Sequence, residues 1–280
     1  MSGSMSDGAR VAFLDVDGTY ADHGAVPPAH EAAVRAARRA GHRVLLCTGR
    51  PESMLPPSLL AAGFDGVVAT AGAFVRLDGE VVADLRFPDD LATRVRHVLD
   101  AHDVAYLLET PDADYGPGGL DARLERRGDS APREILDVLR MPGDLAGVRY
   151  AKISYFDSPV PIAALRTELG PEVGILPSSY ADTGDNAGEI HLAGVHKAVG
   201  MAAVMEHLGL PAAQAVGIGD GYNDVEMLQY AGTAVAVEGA PPAVLAEADL
   251  VVPGPARGGV AEAFARLGMV DGDSIPTDGY

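Results

Sequence analysis

Asp15 and Asp17 stand two residues apart in Phe13-Leu14-Asp15-Val16-Asp17-Gly18-Thr19-Tyr20, where an apolar run ends in a Gly-Thr turn. In an extended chain, residues i and i+2 face one side, so the two carboxylates converge if that conformation persists. Like charges held so close are costly unless a cation or a proton lies between them. Asp and Gly are also ordinary turn residues, and a plain acidic turn is the competing reading. A second cluster, Gly219-Asp220-Gly221-Tyr222-Asn223-Asp224, supplies two more carboxylates and an amide. Magnesium is commonly held by one or two carboxylates with water and phosphate oxygens, which makes Asp15 and Asp220 the expected direct ligands. Asp224 divides evenly between a role at the metal and that of an acid favoured by a helix N-terminus.

Thr48-Gly49 is a further station. At a strand-to-helix turn, a hydroxyl and free backbone N–H groups can hold a phosphate oxygen, although Thr is equally at home as a helix cap. Lys197, in Gly194-Val195-His196-Lys197-Ala198, is the best available counter-charge for an acidic crevice. Arg50 reads as solvated or packed along a helix, His196 as a surface or capping residue, and Cys47 as buried filler. No spacing suits a zinc site, a P-loop or a Gly-X-Ser-X-Gly elbow.

The elements that must position these groups alternate. A strand over Val11–Asp15 precedes a helix from Pro28 to Ala40; a strand Arg43–Cys47, a helix ending near Ala62 and a strand Gly66–Ala69 follow. Strands alternating with helices of this length imply βαβ units and a parallel sheet. Phe74 to Val82, with Asp78-Gly79 at its turn, reads as a hairpin. The rhythm loosens after Asp84, with a helix over Leu91–Ala101, strands over Val104–Glu109, Arg149–Phe156 and Val173–Leu176, a helix over Ile162–Leu169 and a Gly/Pro loop over Pro111–Gly119. Alternation then resumes. Helices over Lys197–Leu208, Asp224–Tyr230, Pro242–Ala248 and Gly259–Leu267 are interleaved with strands over Ala215–Gly219, Thr233–Val237 and Leu250–Val252. The expected fold is therefore α/β: a doubly wound, mostly parallel, Rossmann-like sheet carrying an inserted α+β domain. The expected core spans residues 10–83 and 186–268 and the insertion 84–185, with disordered tails at 1–9 and 269–280. In the strand order 3-2-1-4-5 the three cluster-bearing strands are neighbours, and their carboxyl ends share one crevice.

With 40 acidic against 21 basic residues, the formal charge of −19 argues against broad binding to nucleic acid or anionic membranes. It leaves room for an anionic substrate, because a bound dication and one lysine can reverse the local potential. One cysteine suits a reducing cytoplasm, and no apolar run reaches signal-peptide or membrane-spanning type.

Asp15-Val16-Asp17-Gly18-Thr19, Thr48-Gly49-Arg50, Lys197 and Gly219-Asp220-Gly221-Tyr222-Asn223-Asp224 resemble the four ordered motifs of the haloacid dehalogenase (HAD) superfamily. The insertion resembles the large α/β cap of its Cof-type subfamily, as do Lys152-Ile153 and Glu189-Ile190. Two departures are Ala71, where Asn often precedes Gly-Ala, and Ala198, where Gly often follows the motif lysine. The resemblance implies an Mg2+-dependent phosphatase acting on a small phosphorylated metabolite (a sugar phosphate, nucleotide or cofactor phosphate). Asp15 would be the nucleophile and Asp17 the acid/base. Asp15, the Asp17 main-chain carbonyl and Asp220 would hold the metal, and Thr48, Lys197 and Asn223 the phosphoryl oxygens. A phosphomutase with the same nucleophile, a non-catalytic phospho-receiver and a binding protein with a degenerate site are the alternatives. Tyr106, Tyr115, Arg123, Arg126 and Arg127 are cap candidates for substrate contact, each more commonly an ordinary surface or packing residue.

Overall fold

The computed structural model describes residues 8–126, 133–177 and 186–271. They divide into two compact units. One comprises residues up to Arg50, Leu55–Ala83 and the chain from His196; the other comprises Pro51–Met54 and Asp84–Val195.

The first unit opens with β1 (Val11–Leu14), α1 (Pro28–Arg39), β2 (Arg43–Cys47), α2 (Pro57–Leu60), β3 (Gly66–Ala69), β4 (Phe74–Leu77) and β5 (Glu80–Asp84). The strands are short apolar runs ended by polar turns. Alternation sends Ala12 and Leu14 of β1 to one face and Val11 and Phe13 to the other. Both faces are dry, as a parallel sheet covered by helices on each side requires.

The second unit contains α3 (Asp89–Ala101), β6 (Ala105–Glu109), β7 (Asp114–Tyr115), α4 (Leu120–Arg126), α5 (Arg133–Val138), β8 (Leu139–Arg140), β9 (Lys152–Phe156), α6 (Ile162–Leu169), β10 (Val173–Pro177) and β11 (Gly188–Leu192). Its sheet runs β10-β11-β9-β6-β7-β8. One face packs Tyr106, Leu108 and Ile153 against Val95 and Leu99 of α3 and Leu165 and Leu169 of α6. The opposite face meets α4 through Leu120 and Leu124. It also buries charge: Lys152 Nζ lies 2.8 Å from Glu189 and 3.3 Å from Glu109.

The chain then returns to the first unit with α7 (Lys197–Leu208), β12 (Ala215–Gly219), α8 (Val225–Tyr230), β13 (Thr233–Val237), α9 (Pro242–Leu245), β14 (Leu250–Val252) and α10 (Gly259–Arg266). The completed sheet has the order β14-β13-β12-β1-β2-β3-β4-β5. It is parallel from β14 to β3 and turns antiparallel at β4. β1 thus sits between β12 and β2, as the doubly wound order requires. α1 and α10 cover one face with Val34, Val260 and Phe264. α7 and α8 cover the other with Met201, Val204 and Leu228.

Three boundaries differ from the sequence reading. Return to the core was expected at residue 186, yet Gly188–Leu192 pairs with β9 and β10, and the first unit resumes only at His196. The expected helix ending near Ala62 is broken. A single 3-10 turn covers Glu52–Met54, Pro56 and Pro57 follow, and only Pro57–Leu60 is α-helical. Met269 and Val270 belong to the packed core rather than to a loose tail; residues 1–7 and 272–280 lie outside the described residues.

Candidate active site

The carboxyl ends of β1, β2 and β12 bring the expected stations together. Asp15 follows β1, with its N–H on the Ile218 carbonyl of β12 at 2.9 Å. Thr48 follows β2 and donates its N–H to Val68 of β3 at 2.8 Å. Parallel pairing of β1 with both neighbours makes these ends level.

Lys197 opens α7 and is completely buried. Its ammonium donates to Asp15 Oδ1 and to Asp224 Oδ1, both at 2.5 Å. Burial opposes its charge, but Asp15 and Asp224 outweigh that and hold the lysine protonated. Asp224 Oδ2 accepts the N–H groups of Asp220 and Gly221 at 3.0 and 2.9 Å. One buried carboxylate therefore ties the lysine to the loop after β12. Asp220 Oδ1 accepts the Thr19 hydroxyl at 2.6 Å, a contact that links the loops after β1 and β12.

Oxygens of Asp15, Asp220 and Asp224 all lie within 4.8 Å of one another. Burial, then the charge of Asp224, pushes the Asp15 carboxyl up to about 8 despite Lys197. Burial raises Asp220 as well. Such a cluster is short of positive charge, and its all-oxygen donor set suits a hard dication. The backbone supports the same reading. Gly18 has φ +89, and a Cβ there would fall 2.4 Å from the Asp220 carboxylate, so only glycine lets the main chain run this close to it.

Two further features set the site's shape. Thr70, Ala71 and Gly72 all have positive φ, at 51, 53 and 99. This left-handed turn after β3 lies against the start of α7: a Cβ on Gly72 would meet the His196 carbonyl at 2.2 Å. The turn thereby seats Lys197. Gly49 adjoins Asn223, whose Nδ2 would lie 3.8 Å from a Cβ added at Gly49.

Asp17 does not join the carboxylate cluster. Its side chain is about half exposed and is gripped by Arg50, whose Nε and Nη2 donate to its two oxygens at 2.8 and 2.7 Å. The expectation that Arg50 is solvated or lies along a helix is therefore corrected. Thr19 and Arg50 are the site residues that sequence reasoning passed over. Thr19 belongs to the Asp-X-Asp-Gly-Thr run and could have been flagged from it, whereas the Arg50 pairing has no local signal. His196 sits at the N-cap of α7 without a side-chain capping bond, and Cys47 is buried with its thiol pushed up by burial. In the second unit, Tyr106 is buried with its hydroxyl on Asp100, Arg123 pairs with Asp103, and Arg140 lies over the Tyr115 ring. Arg126 is exposed, and Arg127 lies outside the described residues.

A family model for haloacid dehalogenase-like hydrolases matches residues 12–264. The chain belongs to this family. As a HAD-like hydrolase it is an enzyme, and its relatives include proteins named as phosphatases. YkrA of Bacillus subtilis, which bears a provisional phosphatase name, is 26% identical over 94% of this chain and 99% of its own length. Over a shorter stretch, 28% of this chain and 35% of the relative, the phosphoglycolate phosphatase of Archaeoglobus fulgidus is 40% identical. The solved HAD subclass IIB sugar phosphatase BT4131 superposes with a TM-score of 0.77 at 20% identity, over 94% of this chain and all of its own. At that identity the superposition establishes the HAD fold, a Rossmann-like core with a cap. Among the described residues no helix is long and apolar enough to cross a membrane.

Proposed function

We propose that this HAD-like hydrolase is an Mg2+-dependent phosphatase of a small phosphorylated metabolite, working through an aspartyl-phosphate on Asp15. Sugar phosphates, nucleotides and cofactor phosphates are the substrate classes. The observation that carries the reading is the buried Asp15–Lys197–Asp224 chain beside Asp220. A lysine wholly inside the protein, held between two carboxylates at the strand ends, is an expensive arrangement. Its natural use is to meet a transferring anion.

Asp15 and Asp220, with the main-chain carbonyl of Asp17, would hold the cation. Asp224 has both oxygens engaged and supports these ligands rather than replacing them. When bound, the cation would offset repulsion between the Asp15 carboxylate and the incoming phosphate. An oxygen of Asp15 attacks phosphorus in line, forming a new P–O bond as the ester P–O bond breaks. The departing electron pair stays on the ester oxygen, which takes a proton from the Asp17 carboxyl. In the second half, water attacks phosphorus and gives a proton to Asp17, while the bond to Asp15 breaks and restores its carboxylate. Thr48, the Gly49 N–H, Lys197 and Asn223 bind the phosphoryl oxygens as charge redistributes. The formal charge of −19 disfavours nucleic-acid polymers and anionic membranes as partners, and a single cysteine, the buried Cys47, suits a reducing cytoplasm.

The test is a panel of metabolite phosphates assayed for free phosphate with Mg2+ and after chelation. Metal-dependent release from at least one compound is expected. Transfer of the phosphoryl group to a second hydroxyl without release would make the chain a mutase. No turnover of any ester would make it a receiver or binding protein.

A further inference from the structure

The two ends of Arg50's backbone are pinned. Its N–H donates to the Thr48 hydroxyl at 3.1 Å, and its carbonyl accepts the Thr70 N–H at 2.8 Å. From that fixed base the guanidinium forks onto both oxygens of Asp17, a residue 33 positions away in sequence. Arg50's side chain is 18% exposed against 53% for Asp17, so the arginine is the anchored partner and the carboxylate the one held.

We propose that Arg50 is the positioning residue for the acid/base Asp17; this rests on the phosphatase reading above. A half-exposed aspartate otherwise samples its staggered rotamers freely. Among the cations near it, Lys197 already serves Asp15 and Asp224. An Asp17 side chain that turned inward would add a fourth carboxylate to a cluster already short of positive charge. The planar fork fixes both the direction and the plane of the carboxylate, which a lysine's point charge cannot do. The fork also defines what must change during reaction. While Asp17 carries its proton, the protonated oxygen faces the leaving group and one arm of the fork is open; that arm closes as the proton passes to the leaving oxygen and the ester P–O bond breaks. It opens again when water returns a proton to Asp17, which restores the acid for the next turnover.

The experiment compares two esters in the full-length, Mg2+-loaded enzyme. p-Nitrophenyl phosphate has a leaving group that needs little acid help, whereas the alkyl ester glycerol 2-phosphate needs a great deal. kcat/KM reports the steps up to phosphoryl transfer onto Asp15. General acid catalysis is worth about 10²–10⁴-fold. Arg50→Ala should therefore lower kcat/KM for glycerol 2-phosphate at least about tenfold, and for p-nitrophenyl phosphate by less than about threefold. Arg50→Lys should recover only part of the loss. In an Asp17→Asn background, Arg50→Ala should add less than about twofold, since residues acting through one contact are not additive. Equal losses on both esters would overturn the proposal and assign Arg50 to phosphate binding or to local structure, as would independent losses in the double variant. An alkyl ester from the metabolite panel that is turned over faster takes the place of glycerol 2-phosphate. A wild-type enzyme that hydrolyses no ester of that panel, yet keeps its fold, would remove the phosphatase reading and this inference with it.

Discussion

Lys197 and Asp224 meet at 2.5 Å with neither side chain exposed to solvent. The pair joins the first residue of α7 to the loop after β12, so it acts as a weld between elements as well as part of the site. Breaking a buried pair by removing one partner strands the other charge, at about 3–5 kcal/mol. Lys197→Met should therefore lose stability on that scale in urea unfolding, in addition to abolishing turnover. A loss under about 1 kcal/mol, the level of an exposed pair, would show that the site relaxes around the missing charge.

Asp15→Asn should reduce turnover at least about a thousandfold, the scale seen when a covalent catalytic unit is broken. Mass spectrometry after brief exposure to substrate should find one phosphoryl group on the peptide containing Asp15 in the wild type and none in the variant. A variant with a tenth of normal activity would exclude Asp15 as nucleophile.

Mg2+ should raise the unfolding temperature, because it binds the folded cluster of Asp15 and Asp220 and not the dispersed chain. The shift should disappear in Asp220→Asn. Equal shifts in both proteins would place the ion elsewhere, and activity that survives exhaustive chelation would separately reject a metal-dependent reaction.

His30 provides a pH-dependent test of the fold. It is fully buried, with Nδ1 against the Tyr20 carbonyl at 2.9 Å and Nε2 accepting the Val260 N–H at 3.1 Å. Those partners require a neutral ring, and burial lowers its pKa. Below the unfolded value of about 6.5, the unfolded chain takes a proton that the native ring refuses, so stability falls as pH drops through that region. The wild type should lose more stability between pH 7 and 5 than His30→Gln does. Parallel pH curves would mean that the ring is not held neutral.

Ala71 occupies left-handed backbone at φ 53, ψ 35, where a Cβ costs roughly 1–2 kcal/mol and Asn is far better tolerated than Ala. Ala71→Asn should stabilise the protein by some part of that roughly 1–2 kcal/mol, measured as a higher urea midpoint at unchanged slope. An unchanged midpoint would put the strain of this turn on Thr70.

The sequence was most legible where one physical signal sufficed. Ala215–Gly219 and Lys197–Leu208 are apolar runs with clear stops and were read to the residue. Asp15 and Asp220 stand out in the sequence because each directly follows a strand, after Leu14 and Gly219. Other features had no local pattern to read. Strands of two residues, such as Asp114–Tyr115 and Leu139–Arg140, are too short to show a period. Gly188–Leu192 carries Glu189 and His191 on one face, and its pairing with β9 and β10 has no signal that would move the expected boundary beyond residue 186. The grip of Arg50 on Asp17 depends on the turn at Thr48 and Thr70 that aims it, and that turn is a property of the folded chain.

Residues Pro51–Met54 belong to the second unit although the main insertion begins only at Asp84. Met54 packs with Leu107 and Ile135 there, and the Ser53 hydroxyl donates to the Thr110 carbonyl at 3.4 Å. A chimera that swaps caps between relatives by splicing at residues 84 and 195 would import a domain and leave a piece of its original foundation behind. A faithful transplant has to move two stretches of chain through four splice points, and this tetrapeptide must travel with its own cap.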